Sequence, residues 1–390
     1  MLRLRVLVVH SSSELYGADR SLLDFIEFQA DSMDITVAVP TPGTLVRELE
    51  RVGASVIVGP VCKVAREMLS PFGLLRTLVA VVPSCIFLSS AHRKSKFDVV
   101  YSNSIAVLGG AFTARLWGVP HVWHVREILT KFRLVSAVFR FFVDALSTSV
   151  ICNSHSTREW IAPSAMPAKY RVVWNGVAPK SLSIDRAAQR RRLGVRDGDV
   201  LFVLVGRINS WKGQKQLVQA FAQLLREGAD NARLVIVGST VLGQEHYEAE
   251  LRSLIAELGC GAQVRMLPFQ EDTDWIWVAV DIAVVSSTQP EPFGRVAIEA
   301  MAFGLPVIAA AHGGLVEIVQ DQVTGILYTP RDVRALLQAM RQLTNDPEMR
   351  QQMGKAGRTR QQTTFLSRGY AKEVGDILLR TVCPSSGQTG

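Results

Sequence analysis

Short apolar runs alternate with longer amphipathic stretches along most of the chain. Apolar runs of a few residues predict buried strands, and apolar residues repeated every three or four positions predict helices. In the first half the predicted strands cover residues 3–9, 35–39, 56–58, 99–101, 121–124 and 149–152. Helical patterns at 19–30 and 106–117 lie between them. This alternation is typical of a parallel sheet that carries helices on both faces.

The same alternation begins again after a polar, arginine-rich stretch at 181–198. The predicted strands of the second half cover residues 200–205, 233–237, 263–266, 281–285 and 306–309. We therefore predict an α/β fold of two doubly wound, Rossmann-like domains that face each other across a cleft and are joined near residues 175–180. Such sheets bind ligands at the carboxyl ends of their strands, so the cleft is the expected site.

Two apolar stretches each allow a packed helix or a membrane contact. Residues 72–91 have the composition of a transmembrane span, but Arg76, Pro83 and several serines interrupt the run. A core-facing helix is therefore the favoured interpretation there. Residues 131–146 combine cations with a strong apolar face. A packed helix is favoured for this stretch too, and a helix lying on a membrane surface is the alternative.

The composition excludes several classes of protein. With 390 residues, 48% of them hydrophobic, the chain can bury two cores and is not intrinsically disordered. Its five cysteines are far apart, which argues against a disulfide framework and a structural zinc site and fits a reducing compartment. The apolar start MLRLRVLVVH is too short for a signal peptide, so we expect a cytoplasmic protein.

The positive charge is concentrated in the first half of the chain. The formal net charge is +8, and residues 1–178 hold 19 Lys and Arg against 13 Asp and Glu. A basic surface can attract nucleic acid, anionic lipid or an anionic substrate. Because the chain has no nucleic-acid-binding motif and no basic stripe interleaved with aromatic residues, we do not expect nucleic acid as a partner.

The most informative stretch is DIAVVSSTQPEPFGRVAIEAMAFG, in which a strand runs through a polar loop into a helix. We expect the backbone amides of Phe293, Gly294 and Arg295 to point out of the helix start, where the helix dipole favours negative charge. Glu291 lies on the loop and Glu299 follows eight residues later. These carboxylates could hold two ends of an extended ligand, and two solvated charges are the alternative.

A second site for an anion is predicted earlier in the chain. The strand at 200–205 ends at Gly206 and is followed by Arg207 and then by Lys212, just before an amphipathic helix. Two cations at the carboxyl end of a strand suit a diphosphate, because Arg can bind it bidentately and Lys acts as a mobile point charge. Two ordinary surface cations are the alternative.

Several sequence motifs follow one another in a characteristic order. In the first half they are YSNSIAVLGG, HVWHVREIL, ICNSHSTREWI and VVWNGV. In the second half they are GRINSWKG, PEPFGRVAIEAMAFGLPVIA and HGGLVEIVQDQVTGIL. Together they resemble the family-four retaining glycosyltransferases, also called glycosyl transferases group 1, which have the GT-B fold. The resemblance covers most of the chain, and two glutamates separated by seven residues in a PFG context are its most specific feature.

The resemblance implies roles for four charged side chains of the second half. Arg207 and Lys212 match the pair that grips the diphosphate of the donor and stabilises the charge that develops on the leaving group. Glu291 matches the glutamate that contacts the hydroxyls of the donor sugar. Glu299 matches the glutamate that bonds the ribose of the nucleotide.

Further positions match through their backbone or lie in the first half. Phe293 and Gly294 match positions whose amides face the sugar or the phosphates. Gly17 matches a glycine at the start of a helix beside the phosphates and the acceptor, although the loop reads Tyr-Gly where many relatives have Gly-Gly. His124 matches a histidine near the transferred sugar, whereas its position alone would suggest a core residue.

A divalent metal is not expected, and neither is a cofactor. Asp272 and Asp274 resemble the carboxylate pair that holds a metal in another glycosyltransferase fold, but they lie at a predicted helix start, where Asp is a favoured cap. Cationic side chains are already available for the diphosphate, so a metal is not chemically required. The base of the donor is left open, and we expect it to be read near Pro268 and Phe269.

The resemblance also implies a division of labour and a reaction. Residues 1–178 are expected to bind the acceptor, residues 179–364 to bind the nucleotide sugar, and a helix at about 365–380 to return to the first domain, with closure on the donor. The implied activity is a metal-independent hexosyl transfer from a nucleotide-diphosphate donor to a hydroxyl acceptor, with retention of configuration. A catalytically inactive nucleotide-sugar-binding subunit and a GT-B nucleotide-sugar epimerase are the alternatives.

The resemblance and the positive charge of the first half together indicate the kind of acceptor. We expect a glycan or a lipid-linked acceptor in the biosynthesis of a surface polysaccharide or a glycolipid. The basic first half favours a peripheral contact of the N-terminal domain with the inner face of the membrane.

Overall fold

The computed structural model divides the chain into two compact units. It describes residues 3–64, 71–129, 133–162, 168–181 and 183–383, and within these the side chains of all but 71–78 and 133–134. Unit 1 contains residues 1–176 and 367–390, and unit 2 contains residues 177–366. The first two residues of the apolar stretch predicted at 131–146 lie outside the described residues.

Among its described residues, unit 1 is built on a parallel sheet of seven strands. These are β1 (Leu4–Val9), β2 (Met33–Val39), β3 (Ser55–Val58), β4 (Val99–Ser102), β5 (His121–Val125), β6 (Ser149–Cys152) and β7 (Tyr170–Val172). They lie in the order β3-β2-β1-β4-β5-β6-β7, and neighbouring strands are parallel. The order reverses between β1 and β4, and such a switch point leaves a crevice at the carboxyl ends of the strands.

Six described helices connect these strands. They are α1 (Gly17–Gln29), α2 (Thr44–Arg51), α3 (Pro71–Ser95), α4 (Leu108–Trp117), α5 (Arg133–Leu146) and α6 (His155–Ile161). Each helix joins two parallel strands, as a crossover connection requires.

Unit 2 repeats the arrangement with six described strands. These are β8 (Val200–Val205), β9 (Ala232–Val237), β10 (Val264–Leu267), β11 (Ile282–Val285), β12 (Val307–Ala310) and β13 (Gly325–Tyr328). They lie in the order β10-β9-β8-β11-β12-β13, and neighbouring strands are again parallel. The switch point falls between β8 and β11, so the loops after these two strands lie side by side.

The helices of unit 2 cover both faces of its sheet. They are α7 (Arg186–Arg192), α8 (Gln214–Arg226), α9 (His246–Glu257), α10 (Asp274–Ala279), α11 (Arg295–Ala302), α12 (Leu315–Ile318), α13 (Val333–Asn345) and α14 (Pro347–Thr364). Phe202 of β8 packs with Phe221 of α8 and with Leu336 of α13 in the core. Within the polar stretch predicted at 181–198, Arg190 of α7 is buried and bonds the carboxylate of Asp281 at 3.0 Å.

The last helix of the chain, α15 (Ser367–Val382), belongs to unit 1. Side chains of a strand point alternately to the two faces of the sheet. Val6 and Val8 of β1 share a core cluster with α1, α2 and α15. Leu7 and Val9 share a different cluster with α3 and α4. The sheet therefore has α1, α2 and α15 on one face and α3 and α4 on the other.

The predicted fold class is confirmed, and every predicted strand is present within two residues of its predicted ends. Two strands were not predicted, β7 and β13. Both are edge strands with one neighbour each, and they are short: β7 has three residues and β13 begins with Gly325. The edge position alone does not explain the omission, because the edge strands β3 and β10 were predicted.

The two ambiguous apolar stretches form packed helices. In α3, Val81 and Leu88 are buried, and Pro83 lies inside the helix. In α5, Phe139 and Val143 are buried in the core of unit 1. Among the described residues, none of the helices is both long enough and apolar enough to cross a membrane.

Candidate active site

The candidate site of unit 2 is built by the loops that follow β8, β11 and β12. These strands are neighbours, so their carboxyl ends lie together. The amide of Thr288 donates to the carbonyl of Trp211 at 2.7 Å, and the hydroxyl of Ser286 donates to the carbonyl of Gly213 at 3.1 Å. Gly213 has φ +80°, and a Cβ there would lie 1.8 Å from the carbonyl oxygen of Ser286. Only glycine lets the two loops approach this closely.

Lys212 and Glu291 meet in this site. Nζ of Lys212 lies 2.6 Å from Oε1 of Glu291, and the hydroxyl of Ser287 donates to the same oxygen at 2.5 Å. The Glu291 side chain is 7% exposed and the Lys212 side chain 20%. Nζ also lies 4.5 Å from the ring centroid of Trp211. The buried carboxylate of Glu291 is held by charge-assisted hydrogen bonds, which are short and strong.

The backbone of Glu291 is fixed by the HGG segment that follows β12. The amide of Gly314 donates to the carbonyl of Glu291 at 2.7 Å, and Nε2 of His312 donates to the carbonyl of Ser287 at 2.8 Å. Burial lowers the pKa of His312 below its ordinary value, which favours this neutral, donating form. Gly313 has φ +60°, and a Cβ there would lie 2.2 Å from the carbonyl oxygen of Glu291. The position of Glu291 therefore depends on a glycine on another loop.

The start of α11 carries the next predicted residues. Gly294 caps the helix with φ +107°, and a Cβ there would lie 2.5 Å from Cδ2 of Leu315. Phe293 is buried, so its side chain belongs to the core and only its backbone can face a ligand. Arg295 and Glu299 are paired one helical turn apart, with Nε 2.9 Å from Oε1. Glu299, which is predicted to bond the ribose, is thus held in an ion pair with Arg295.

Arg207 lies on the same loop as Lys212, while Pro268 and Phe269 lie farther away. The side chain of Arg207 is exposed, and its carbonyl accepts a hydrogen bond from Nε2 of Gln214 at 2.8 Å. Pro268 and Phe269 follow β10, an edge strand two positions from β8. The amide of Phe269 donates to Oγ of Ser239 at 2.9 Å, and its ring is 37% exposed.

Asp272 and Asp274, which were considered as metal ligands, lie at the start of α10. Oδ1 of Asp272 accepts the amide hydrogen of Asp274 at 2.8 Å, and the carboxylate of Asp274 lies 2.9 Å from Nζ of Lys180. The predicted position at a helix start is confirmed.

In unit 1, Gly17 is the first residue of α1, and its loop is fixed by a buried carboxylate. Oδ2 of Asp19 accepts the amide hydrogen of Tyr16 at 2.7 Å, and Oδ1 lies 2.7 Å from Nε2 of His10. Both Asp19 and His10 are buried. The loop before α1 is thereby held to the end of β1.

His124 is fully buried near the end of β5. Its Nδ1 lies 2.6 Å from the hydroxyl of Tyr101 and accepts a weak contact from Arg126 at 3.3 Å. Its Nε2 is buried and, among the described residues, has no hydrogen-bond partner. Burial, and secondarily the Arg126 cation, hold the pKa of His124 well below its ordinary value, so the ring is neutral at pH 7.

A buried polar network links His124 to the loop of Gly17, and its other members were not predicted as site residues from the sequence. Arg126 donates to Asn103 at 2.9 Å, to Asn175 at 2.7 Å and to the hydroxyl of Tyr370 at 2.6 Å. Asn103 in turn lies 3.1 Å from Nδ1 of His10. The available signal was a polar residue after an apolar strand, as in the motifs YSNS and HVRE. Ser287 and the HGG segment of unit 2 carry the same signal.

The two parallel α/β units place the chain in the GT-B class of glycosyltransferases. The solved structure of HepE from Anabaena, in complex with UDP and glucose, is 26% identical, with a TM-score of 0.84 over 97% of this chain and 100% of that one. Sucrose-phosphate synthase from Thermosynechococcus elongatus is 21% identical and shares the fold, with a TM-score of 0.79 over 98% and 100%.

The sequence comparisons give the family. Residues 16–181 match the model of Glycosyltransferase Family 4, and residues 185–360 match the model of Glycosyl transferases group 1. The D-inositol 3-phosphate glycosyltransferase of Frankia alni is 31% identical over 362 residues, 85% of each chain. That of Stackebrandtia nassauensis is 32% identical over 305 residues, 73% of this chain and 68% of its own. The chain belongs to the family-four glycosyltransferases and is a transferase enzyme.

Proposed function

We propose that this enzyme transfers a hexosyl group from a nucleotide-diphosphate donor to a hydroxyl acceptor, with retention of configuration and without a metal. The observation that carries the proposal is the contact of Lys212 Nζ with Glu291 Oε1 at 2.6 Å, beside the start of α11. A cation, a carboxylate and a helix start meet where a sugar diphosphate needs a positive charge, a hydroxyl partner and amide donors.

Positive charge at this edge supports departure of the nucleoside diphosphate. Arg207 and Lys212 occupy one loop, and Lys has a flexible stem that can exchange a carboxylate for a phosphate oxygen. The two cations would stabilise the negative charge that develops on the leaving oxygen, a task that a divalent ion performs in other enzymes. Glu291 would then be available to the sugar hydroxyls.

His124 supports the placement of a sugar in unit 1. A buried imidazole nitrogen without a hydrogen-bond partner is rare in proteins and calls for a ligand or an ordered water. Because Nδ1 accepts from Arg126, the proton of the neutral ring lies on Nε2, which can donate to a sugar hydroxyl. We propose a front-face reaction, in which the acceptor attacks on the side from which the nucleoside diphosphate departs and a phosphate oxygen of the donor takes the proton of the acceptor.

We propose a glycan or lipid-linked acceptor in the biosynthesis of a surface polysaccharide or a glycolipid, at the cytoplasmic face of a membrane. The basic first half of the chain supports this choice. D-inositol 3-phosphate is the second candidate, since the relative from Frankia alni named for that acceptor matches over 85% of each chain. UDP-glucose is the first donor to test, because HepE was solved with UDP and glucose.

The first prediction concerns Arg207, Lys212 and Glu291. In EDTA the purified enzyme should release UDP from a UDP-sugar, and Arg207→Ala, Lys212→Ala and Glu291→Gln should each lower kcat by about a hundredfold or more. Lys215→Ala, which removes an exposed cation of α8, the helix that follows the loop of Arg207 and Lys212, should keep the wild-type rate. Full activity of Arg207→Ala and Glu291→Gln would refute the assigned roles, and a need for added metal would refute metal independence.

The product separates this proposal from its alternatives. A glycoside with the anomeric configuration of the donor, identified by NMR, supports retaining transfer. An isomerised nucleotide sugar would indicate an epimerase, and tight donor binding without turnover of any UDP-, GDP- or ADP-sugar would indicate an inactive binding subunit.

A further inference from the structure

One face of α3 exposes an apolar stripe. Val79, Val82 and Ile86 are 66%, 59% and 65% exposed, and their spacing of three and four residues places them on one side of the helix. Arg93 and Lys94 are exposed and continue the same side toward the end of α3. The opposite side of the helix is buried against the sheet, as described above. The stripe is therefore a solvent-facing feature and not part of the core.

The neighbouring helices extend this surface. Nε1 of Trp117 in α4 donates to Oγ of Ser89 in α3 at 3.0 Å, and Phe112 of α4 packs against Phe142 of α5 with ring centroids 5.9 Å apart. The three helices thus lie side by side on one face of the unit 1 sheet. Their outer side also exposes one large apolar residue on α4 and one on α5: Leu116 at 70% and Phe141 at 67%.

The charge of these helices is of one sign. Together α3, α4 and α5 contain six Lys and Arg residues and a single carboxylate, Asp144. Asp144 is already paired with Lys169 at 2.7 Å. By contrast, α1 and α2, on the other face of the sheet, contain five Asp and Glu against three Arg. These three helices therefore carry a net positive charge, whereas α1 and α2 carry a net negative charge, and Arg93, Lys94 and Arg115 are exposed.

We propose that the outer side of α3, α4 and α5 docks onto an anionic lipid bilayer. The occupant follows from the combination of features: apolar side chains that can enter the acyl region, flanking cations for the headgroups and the near absence of carboxylates that would repel them. The proposal extends the membrane location given above and moves it from α5 to α3. In α5 the apolar face is buried, and the guanidinium of Arg140 lies against the ring of Trp160, 5.7 Å from its centroid.

The experiment is co-sedimentation of the full-length protein with vesicles. Vesicles of phosphatidylcholine and phosphatidylglycerol in equal parts are compared with pure phosphatidylcholine, at low and high salt. We expect binding to the anionic vesicles that falls steeply with salt. The triple variant Val79→Ser, Val82→Ser, Ile86→Ser and the double variant Arg93→Glu, Lys94→Glu should each weaken binding at least about tenfold.

The matched control is the double variant Phe28→Ser, Leu379→Ser. Both residues are exposed, at 44% and 46%, but lie on α1 and α15, on the other face of the sheet. The control should bind vesicles as the wild type does. Equal binding to both kinds of vesicle, or an unchanged triple variant, would overturn the proposal. So would a wild-type dimer that the triple variant abolishes while vesicle binding stays the same, because the face would then be a protein interface.

Donor turnover is measured on the same preparations without lipid. A wild type that turns over the donor but binds neither kind of vesicle would overturn this inference alone. Intact vesicle binding without turnover would overturn only the proposed function, since none of the substituted residues belongs to the donor site.

Discussion

At the scale of residues, the candidate donor site depends on close approaches that only glycine permits. Gly213 lets the loops of β8 and β11 meet, and Gly313 lets the loop of β12 meet Glu291. The ion pair of Lys212 and Glu291 lies between these contacts. Either substitution at Glu291 leaves the charge of Lys212 uncompensated. Gln keeps the volume of the side chain and an oxygen that can accept from Ser287, so Glu291→Gln tests the role of the charge better than a truncation to Ala does.

Gly313→Ala should lower activity more than its effect on folding would suggest. A Cβ at this position would lie 2.2 Å from the carbonyl oxygen of Glu291 and must displace its loop. Gly259→Ala is the matched control, because Gly259 has a similar φ of +69° and no atom within 4 Å of the added Cβ.

Both variants should lose about 1–2 kcal/mol of unfolding free energy from the left-handed backbone alone. Only Gly313→Ala should also slow UDP release, by about tenfold or more. The reason is that a misplacement of a catalytic group by about 1 Å can lower a rate by about a hundredfold. A wild-type rate for Gly313→Ala would show that the position of Glu291 does not depend on this contact.

At the scale of elements, strand β5 contributes both to the core of unit 1 and to its buried polar network. All five of its residues are buried, and it carries two histidines. His124 lies near the carboxyl end, in the polar network, whereas His121 begins the strand. Nδ1 of His121 donates to the carbonyl of Leu146 at 3.1 Å, and Nε2 lies 2.9 Å from Oγ of Ser102. Its surroundings therefore accept a neutral ring and not a cation.

Acid should destabilise unit 1 through His121. Burial lowers the pKa of His121 from 6.5 to about 4. Above pH 6.5 the His121 ring is neutral in both the folded and the unfolded state. Between pH 6.5 and about 4 the ring binds a proton in the unfolded state but stays neutral in the folded state. The free energy of unfolding should thus fall as pH falls, by up to about 3 kcal/mol from this residue.

Urea unfolding at neutral pH and near the lower end of that range checks the expectation. His121→Gln, which cannot take up a proton, should be less stable at neutral pH but lose less stability on acidification than the wild type does. An identical acid dependence in both proteins would assign the effect to other groups.

At the scale of the whole molecule, unit 1 is discontinuous and unit 2 is one continuous segment. Val177 and Leu366, where the chain enters and leaves unit 2, are paired in a parallel bridge, and the amide of Val177 donates to the carbonyl of Phe365 at 2.9 Å. Unit 1 is complete only when α15 has been made, because Val374 and Leu378 of that helix belong to its core. Folding of unit 1 thus depends on the last part of the chain.

Leu378→Ala should destabilise unit 1 and leave unit 2 unchanged. Leu378 is fully buried, and its truncation should cost about 2–5 kcal/mol. The adjacent Leu379 is 46% exposed, so Leu379→Ala should change stability by less than about 0.5 kcal/mol. Hydrogen exchange resolved by segment checks the assignment: β1 and β4 should lose protection in Leu378→Ala while β8 and β11 keep theirs. Equal loss in both units would mean that they unfold together.

The central elements were predictable because their signals are local. A strand buried on both faces is a continuous apolar run, as in β1 and β8, and the polar loop and glycine before α11 predicted a helix start that is present. The strands β7 and β13 were not predicted because their apolar runs are short and interrupted, by Arg171 in β7 and by a glycine at the start of β13. Asn103 and Arg126 were not predicted as site residues, because each looks like an ordinary polar residue after a strand until its partners are known.

The sequence by itself determined the alternation of strands and helices, the fold class and the family, because burial periodicity and motif spacing are written in neighbouring positions. Tertiary structure alone decided which of those positions meet. It brought Lys212 to Glu291 across 79 positions of sequence, joined Arg126 to Tyr370 across 244, and turned the apolar stripe of α3 toward solvent while burying that of α5. The physical reason is that contacts and exposure depend on strand order in the sheet, which a linear pattern does not contain.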